Sequence, residues 1–118
     1  MNMLIEVLKS KIHRATVTEM DLNYSGSIGI DKTLMKLVGI AENEKVLIAN
    51  LRNGRRLETY ALSEPADSRR ICIYGPAGRL CRVGDLVVIM AFGLVRMNEK
   101  VKPKILILDR QNKISQIK

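Results

Sequence analysis

Asp21-Leu22-Asn23-Tyr24-Ser25-Gly26-Ser27-Ile28-Gly29-Ile30-Asp31 is the segment from which the rest of the chain is read. A polar turn leads into Tyr24-Ser25-Gly26-Ser27, and a short apolar run follows. Ser27 to Ile30 reads as a strand, and Asp31 as the N-cap of a brief helix. The Gly26–Ser27 bond is the candidate chemical centre. A serine hydroxyl next to glycine can attack the preceding carbonyl unhindered, because glycine lacks a Cβ and tolerates strained geometry. The acyl group then moves from nitrogen to oxygen. β-Elimination of the ester leaves dehydroalanine, which hydrolyses to an N-terminal pyruvoyl group. Gly-Ser pairs are common in turns, so the pair alone does not establish this chemistry.

Around this segment the apolar pattern is that of short strands. Residues 3–9 and 12–19 read as two strands, the second rich in β-branched side chains, and residues 21–24 as a turn. Leu34, Leu37 and Val38 are expected on the buried face of the helix, with Gly39 as its stop. Residues 44–51 and 56–62 form a hairpin whose Asn53-Gly54 pair predicts a type I′ turn. Strands follow at 70–74, 86–92 and 104–108. A loop leading into one helical turn spans 75–82, and polar turns fall at 83–85 and 109–113. Seven or so strands with two scraps of helix suggest a small barrel, without choosing its topology.

The chain has 118 residues, one domain's worth. Nearly half of them are apolar, with many Ile, Leu and Val, but only three Tyr, one Phe and no Trp. That composition suits β-branched packing in a small closed β structure. Cys72 and Cys81 have no metal-ligand spacing and read as reduced thiols; no metal is expected. Glu6 and Lys9 interrupt the first apolar residues, and the longest apolar run, 86–95, is far short of a membrane span. A soluble cytoplasmic protein without a membrane partner is expected. The net charge of +8 is spread over many segments, and aromatics are too few for base stacking. Most of the charge therefore reads as solvated surface, with a few cations left to draw in an anionic substrate, and no nucleic acid partner is expected.

Lys11-Ile12-His13-Arg14-Ala15-Thr16-Val17-Thr18, the Asp21–Ile28 segment and Ile30-Asp31 resemble the start of the pyruvoyl-dependent aspartate 1-decarboxylases. The resemblance continues through Asn53-Gly54-Arg55-Arg56-Leu57-Glu58-Thr59-Tyr60, Gly75-Pro76-Ala77-Gly78-Arg79 and Val83-Gly84-Asp85, in collinear order over nearly the whole chain. It implies a mainly β fold: a six- to seven-stranded double-psi β-barrel with short helices, assembled as a homotetramer with active sites at subunit boundaries. It implies one domain, 1–118, cleaved by itself into 1–26 and 27–118. The activity implied is conversion of L-aspartate to β-alanine and carbon dioxide, for pantothenate and coenzyme A synthesis.

The resemblance also assigns roles. Ser27 is the pyruvoyl precursor that forms the Schiff base with substrate. Gly26, Ser27 and Thr59 serve processing, and Tyr60 is the proton donor. Lys11, Arg56, Thr59 and the Gly75-Pro76-Ala77 backbone bind substrate. His13, Tyr24 and Tyr74 are lesser candidates. The residue types suit these tasks. Losing carbon dioxide from Cα needs an electron sink, and no pyridoxal-type lysine motif is visible. Arg56 offers a planar fork for a carboxylate, although a solvated arginine beside Arg52 and Arg55 is its ordinary alternative. A neutral phenol can return a proton, although Tyr60 on a strand more often packs its ring. His13 reads more readily as a strand histidine with a satisfied partner. Thr59 and Tyr60 alternate on one strand, so their side chains point to opposite faces. The chain departs from the family at Tyr74 and Pro76, where Asn and Ala are usual; proline removes a backbone donor. Two alternatives stand beside this reading. One is a processed but weakly active relative. The other is a DNA-binding regulator of the swapped-hairpin type, which residues 26–48 loosely resemble.

Overall fold

The computed structural model describes residues 3–118; Met1 and Asn2, and the side chain of Ala77, lie outside the described residues. Nine strands and one α-helix follow in order: β1 (Leu4–Thr16), β2 (Glu19–Asp21), β3 (Ser27–Asp31), α1 (Lys32–Val38), β4 (Lys45–Asn50), β5 (Arg56–Glu64), β6 (Ile71–Tyr74), β7 (Leu86–Arg96), β8 (Lys104–Leu108) and β9 (Ile114–Ile117). A 3-10 turn, Gly75–Arg79, follows β6. The fold is mainly β with one short α-helix, as the composition and turn spacing imply.

The strands pair in the order β2-β6-β3-β5-β4-β7-β1-β8-β9. A flat sheet of nine strands would hold its outer members roughly 40 Å apart at ~4.8 Å per strand. Here β6 and β8, near opposite ends of that order, bury Ile71, Ile73, Leu106 and Leu108 in one common core. The sheet therefore curls. The chain that forms β1 closes it. β1 pairs with β7, and two residues further on β2 pairs with β6. At the crossing the Thr18 amide donates to the Ile71 carbonyl at 2.8 Å. The Ile71 amide donates back to the Thr18 hydroxyl at 3.0 Å. The pairings run β2, β6, β3, β5, β4, β7, β1, and the continuous chain from β1 through residues 17–18 into β2 brings the series back to its start. The strands β8 and β9 extend it on one side.

Apart from Leu106, the largest fully buried side chains are Ile and Val, the stiff β-branched residues that fit a pleated surface. Helix α1 begins where Asp31 accepts from the Thr33 amide at 2.8 Å and ends at Gly39, which takes φ 76°. The Asp31 carboxylate also accepts from the amides of Asp67 and Arg69, at 3.0 and 2.8 Å, so one buried side chain ties β3 to the approach to β6. Asn112 adds a second tie. Its amide nitrogen donates to Thr16 and Arg69 carbonyls, each at 2.9 Å.

Several expectations are corrected. The two strands expected over 3–9 and 12–19 are one from Leu4 to Thr16, carried through by register shifts after Leu8 and Ile12 that break the alternation, while Glu19 opens β2. Asp21 lies in a strand rather than a turn. Leu37 is 41% exposed, and Met35 takes its place in the core. The β4–β5 connection is a longer turn closed by Gly54 N–H donating to Asn50 O; Gly54 has positive φ but Asn53 does not, which rules out type I′. The turn after β6 is 3-10 at 75–79, β7 runs on to Arg96, and β9 is an added strand.

One end of the barrel is held by Asp85, whose side chain is 8% exposed. It accepts from Arg52 Nε at 2.8 Å, Asn50 Nδ2 at 2.8 Å and the Arg82 amide at 2.8 Å. Arg52 first, then the Asn50 and Arg82 donors, hold the carboxyl down at about 2. A depressed folded value gives stability that is present above the ordinary carboxylate range and is lost as pH falls through it. Asp85→Asn should cost about 1–3 kcal/mol at pH 7, and the difference from wild type should shrink as the pH drops from about 4 toward 2. Urea unfolding of both proteins across that range checks it.

Candidate active site

The Gly26–Ser27 bond lies where the chain enters β3. Ser27 is 2% exposed and stands opposite Tyr74 of β6. Ile28 and Ile30 enter the core, so Ser27 and Gly29 belong to the other face of the strand. The next residue after Tyr74, Gly75, has φ 72°; a Cβ there would fall 2.6 Å from the Tyr24 carbonyl oxygen and 2.7 Å from the Gly26 nitrogen. Two backbones are thus in direct apposition, and only glycine fits between them. Gly26 also faces Pro76, whose Cδ lies 3.5 Å from the position of a Cβ.

This junction opens onto a cleft of about 260 Å³ lined by Gly26, Leu57, Glu58, Thr59, Pro76 and Leu80. The structure therefore gathers Gly26, Ser27, Thr59, Tyr74, Gly75 and Pro76 at one place. Tyr24 joins them through its ring, centred 5.1 Å from that of Tyr74 and tilted by 57°. The backbone of Ala77 lies in the same 3-10 turn.

Other sequence candidates stand apart within one chain. β5 pairs with β3 and β4 without a register shift, so Thr59 and Tyr60 keep to opposite faces. Tyr60 lines a neighbouring groove with Lys45, Glu58 and Thr59. Arg56 is exposed at the start of β5, next to Leu57 of the cleft wall. Lys11 lies on β1 between Met90 and Ile105 and does not line the cleft. His13 is half-buried on the same strand, and its Nδ1 has no partner among the described residues, contrary to the satisfied histidine expected. Burial, with Lys11 and Arg14 nearby, holds its imidazole below the ordinary value.

Glu64 was not among the sequence candidates. It accepts from the Tyr74 hydroxyl at 2.8 Å, and its carboxylate occupies the space over Gly29. Arg70 Nε lies 3.5 Å from Glu64 and its guanidinium also pairs with Glu19. Burial first, then the neighbouring Cys72 and Glu64, push the Tyr74 phenol up. The only sequence signal was Gly29 inside a strand, which marks a close approach by another group. Cys72 and Cys81 are both free and buried. Among the described residues no three His, Cys, Asp or Glu side chains gather as metal ligands. No helix among them is long and apolar enough to cross a membrane.

The family described as aspartate decarboxylase has a model that matches residues 3–115. A protein named aspartate 1-decarboxylase from Caldicellulosiruptor bescii is 56% identical over 114 residues, 95% of this chain and 89% of its own. A protein of that name from Fervidobacterium nodosum is 50% identical over 112 residues, covering 95% and 97%. One from Carboxydothermus hydrogenoformans is 48% identical over 118 residues, covering 98% and 93%. The similarity spans far more than residues 26–48, the stretch on which the DNA-binding alternative rests.

Gly75→Ala should pry the two backbones apart and strain the left-handed φ. We expect a loss of about 1–3 kcal/mol in urea unfolding, with faster amide hydrogen exchange at 24–27 than in β4.

Proposed function

The chain belongs to the aspartate decarboxylase family, and we propose that it converts L-aspartate to β-alanine and carbon dioxide with a pyruvoyl group made from its own Ser27. The observation that supports this most is the Gly26–Ser27 bond, its serine buried and its glycine half-buried, held against Gly75 at the mouth of a cleft. The residues present fit the group. Ser27 is shielded from bulk water, its glycine neighbour leaves the carbonyl unhindered, and Thr59 lines the same cleft. Cleavage there gives chains 1–26 and 27–118. The pyruvoyl carbonyl supplies the electron sink for the pair left at Cα when carbon dioxide departs.

The rest falls to side chains of this protein. Arg56 and Lys11 hold the two substrate carboxylates as charge-assisted pairs. The Gly75 and Ala77 amides are the backbone donors left in the turn, since Pro76 has none. Tyr60 returns the proton to Cα from its phenol. Lys11 and Tyr60 do not line the cleft of their own chain, which suits sites at the subunit boundaries of a homotetramer, where a second copy completes the set. The product feeds pantothenate and coenzyme A synthesis. A second reading, a processed but slow enzyme, draws on the donor missing at Pro76 and on Tyr74, whose hydroxyl is engaged by Glu64.

Carbon dioxide released from aspartate labelled at C1, with none from C4, tests the reaction. Ser27→Ala should abolish release, and unchanged turnover in that variant would overturn the proposal. Lys11→Ala and Arg56→Ala should each lower kcat/KM by roughly tenfold to a hundredfold, the loss of one bond to a charged group of about 1.5–3 kcal/mol.

A further inference from the structure

Ser27 faces away from the core, yet it is 2% exposed. Something on the outer face of β3 must cover it. The residue directly opposite is Tyr74, and cross-strand partners share a face. The Tyr74 hydroxyl donates to Glu64 Oε2 at 2.8 Å. That carboxylate lies over Gly29, where a Cβ would fall 2.8 Å from its carboxyl carbon. The Tyr74 ring therefore runs along β3 from the level of Ser27 to that of Gly29. The ring of Tyr24, itself 61% exposed, packs outside it. Glu64 is held in turn beside Arg70.

We propose that Tyr74, hung from Glu64, is a lid over the Ser27 ester that keeps water out, so that the ester eliminates instead of hydrolysing. The inference rests on the self-cleavage reading above. Once the acyl group has moved, Gly26 is joined to Ser27 through the serine oxygen, and Ser27 carries a free amine. Two outcomes compete. In hydrolysis, water adds to the Gly26 carbonyl and the acyl C–O bond breaks. The Gly26 carboxylate and a serine-started chain result, with no pyruvoyl group. In elimination, the Cα proton of Ser27 leaves, its electron pair forms the Cα–Cβ double bond, and the Cβ–O bond breaks. Gly26 departs as a carboxylate made of its own carbonyl oxygen and the former Ser27 hydroxyl oxygen, and the dehydroalanine left behind takes up water and releases ammonia. Hydrolysis needs water at the Gly26 carbonyl while that carbonyl is still bonded to the Ser27 oxygen, whereas elimination needs water only after Gly26 has left, so a cover over Ser27 during the life of the ester selects between the two. Tyr74 acts as a positioning residue: it shields the reacting atoms and exchanges no proton with them.

The test splits wild type, Tyr74→Ala, Tyr74→Phe, Glu64→Ala and Glu64→Gln chains in water enriched in heavy oxygen, and weighs both fragments. Hydrolysis leaves a serine-started large fragment that keeps its own hydroxyl oxygen, heavier than the pyruvoyl form by the mass of ammonia less the increment of the one heavy oxygen that the keto group takes from the water, and puts one heavy oxygen on the 1–26 carboxylate. Elimination leaves that carboxylate unlabelled. The ratio of serine-started to pyruvoyl chain should rise by about tenfold in Tyr74→Ala and Glu64→Ala, the effect on a rate ratio of losing one ordinary hydrogen bond. Tyr74→Phe, a ring without its anchor, should fall between these and wild type. Glu64→Gln, which keeps an acceptor for the phenol, should stay near wild type. An unchanged ratio in every variant that splits overturns the proposal. So does a set of variants that never splits beside a wild type that does, since the ring would then act on the acyl shift. A wild type that does not split overturns the self-cleavage reading instead.

Discussion

The closeness of two backbones at Gly75 is the constraint on which the site depends. With a Cβ position only 2.6 Å from the Tyr24 oxygen and 2.7 Å from the Gly26 nitrogen, the 24–26 segment is pinned by main chain. Main-chain contact has no rotamers to lose, so it holds a bond in place more narrowly than a side chain would. The same contact fixes the register of β3 against β6 at its open end. Ser27 is opposite Tyr74 there, while Ile28 and Ile73 meet in the core one residue away. One short strand thus places Ser27, the proposed pyruvoyl precursor, and carries part of the core.

That strand pair is in turn held by the closure of the ring. The crossing from β1 to β2 brings Thr18 to Ile71, and Asp31 and Asn112 tie the approach to β6 from two other directions. All three are buried or half-buried polar groups whose partners are main-chain atoms. They fix where β6 starts, and hence where Gly75 falls. The Gly26–Ser27 bond sits at the end of a rigid frame, where binding and catalytic residues are often carried.

Much of this was legible in the residues. Asp31 and Gly39 bracket α1 as their chemistry requires, and the β-branched runs at 27–30, 44–51 and 70–74 are strands. The gathering of Gly26, Thr59 and Pro76 follows the motifs that carried the resemblance. What escaped has physical causes. The bulges in β1 break the period-two pattern that defines a strand, so one element read as two. All four residues of β9 are exposed, so no apolar alternation marks it. Leu37 and Met35 are both apolar on a helix of two turns, too short for a hydrophobic face to be resolved. Glu64 lies beyond the strand expected over 56–62; its partner Tyr74 is ten residues away on another strand, and only the pairing of β3 with both β5 and β6 brings them together. Ring closure is likewise a long-range property that no local pattern encodes.

The most direct measurement is the intact mass of the purified protein under denaturing conditions. A chain that builds its own electron sink at Ser27 gives two species, residues 1–26 and residues 27–118. The larger is lighter than a serine-started peptide by the mass of ammonia. A single unbroken chain of 118 residues after long warm incubation would contradict the account.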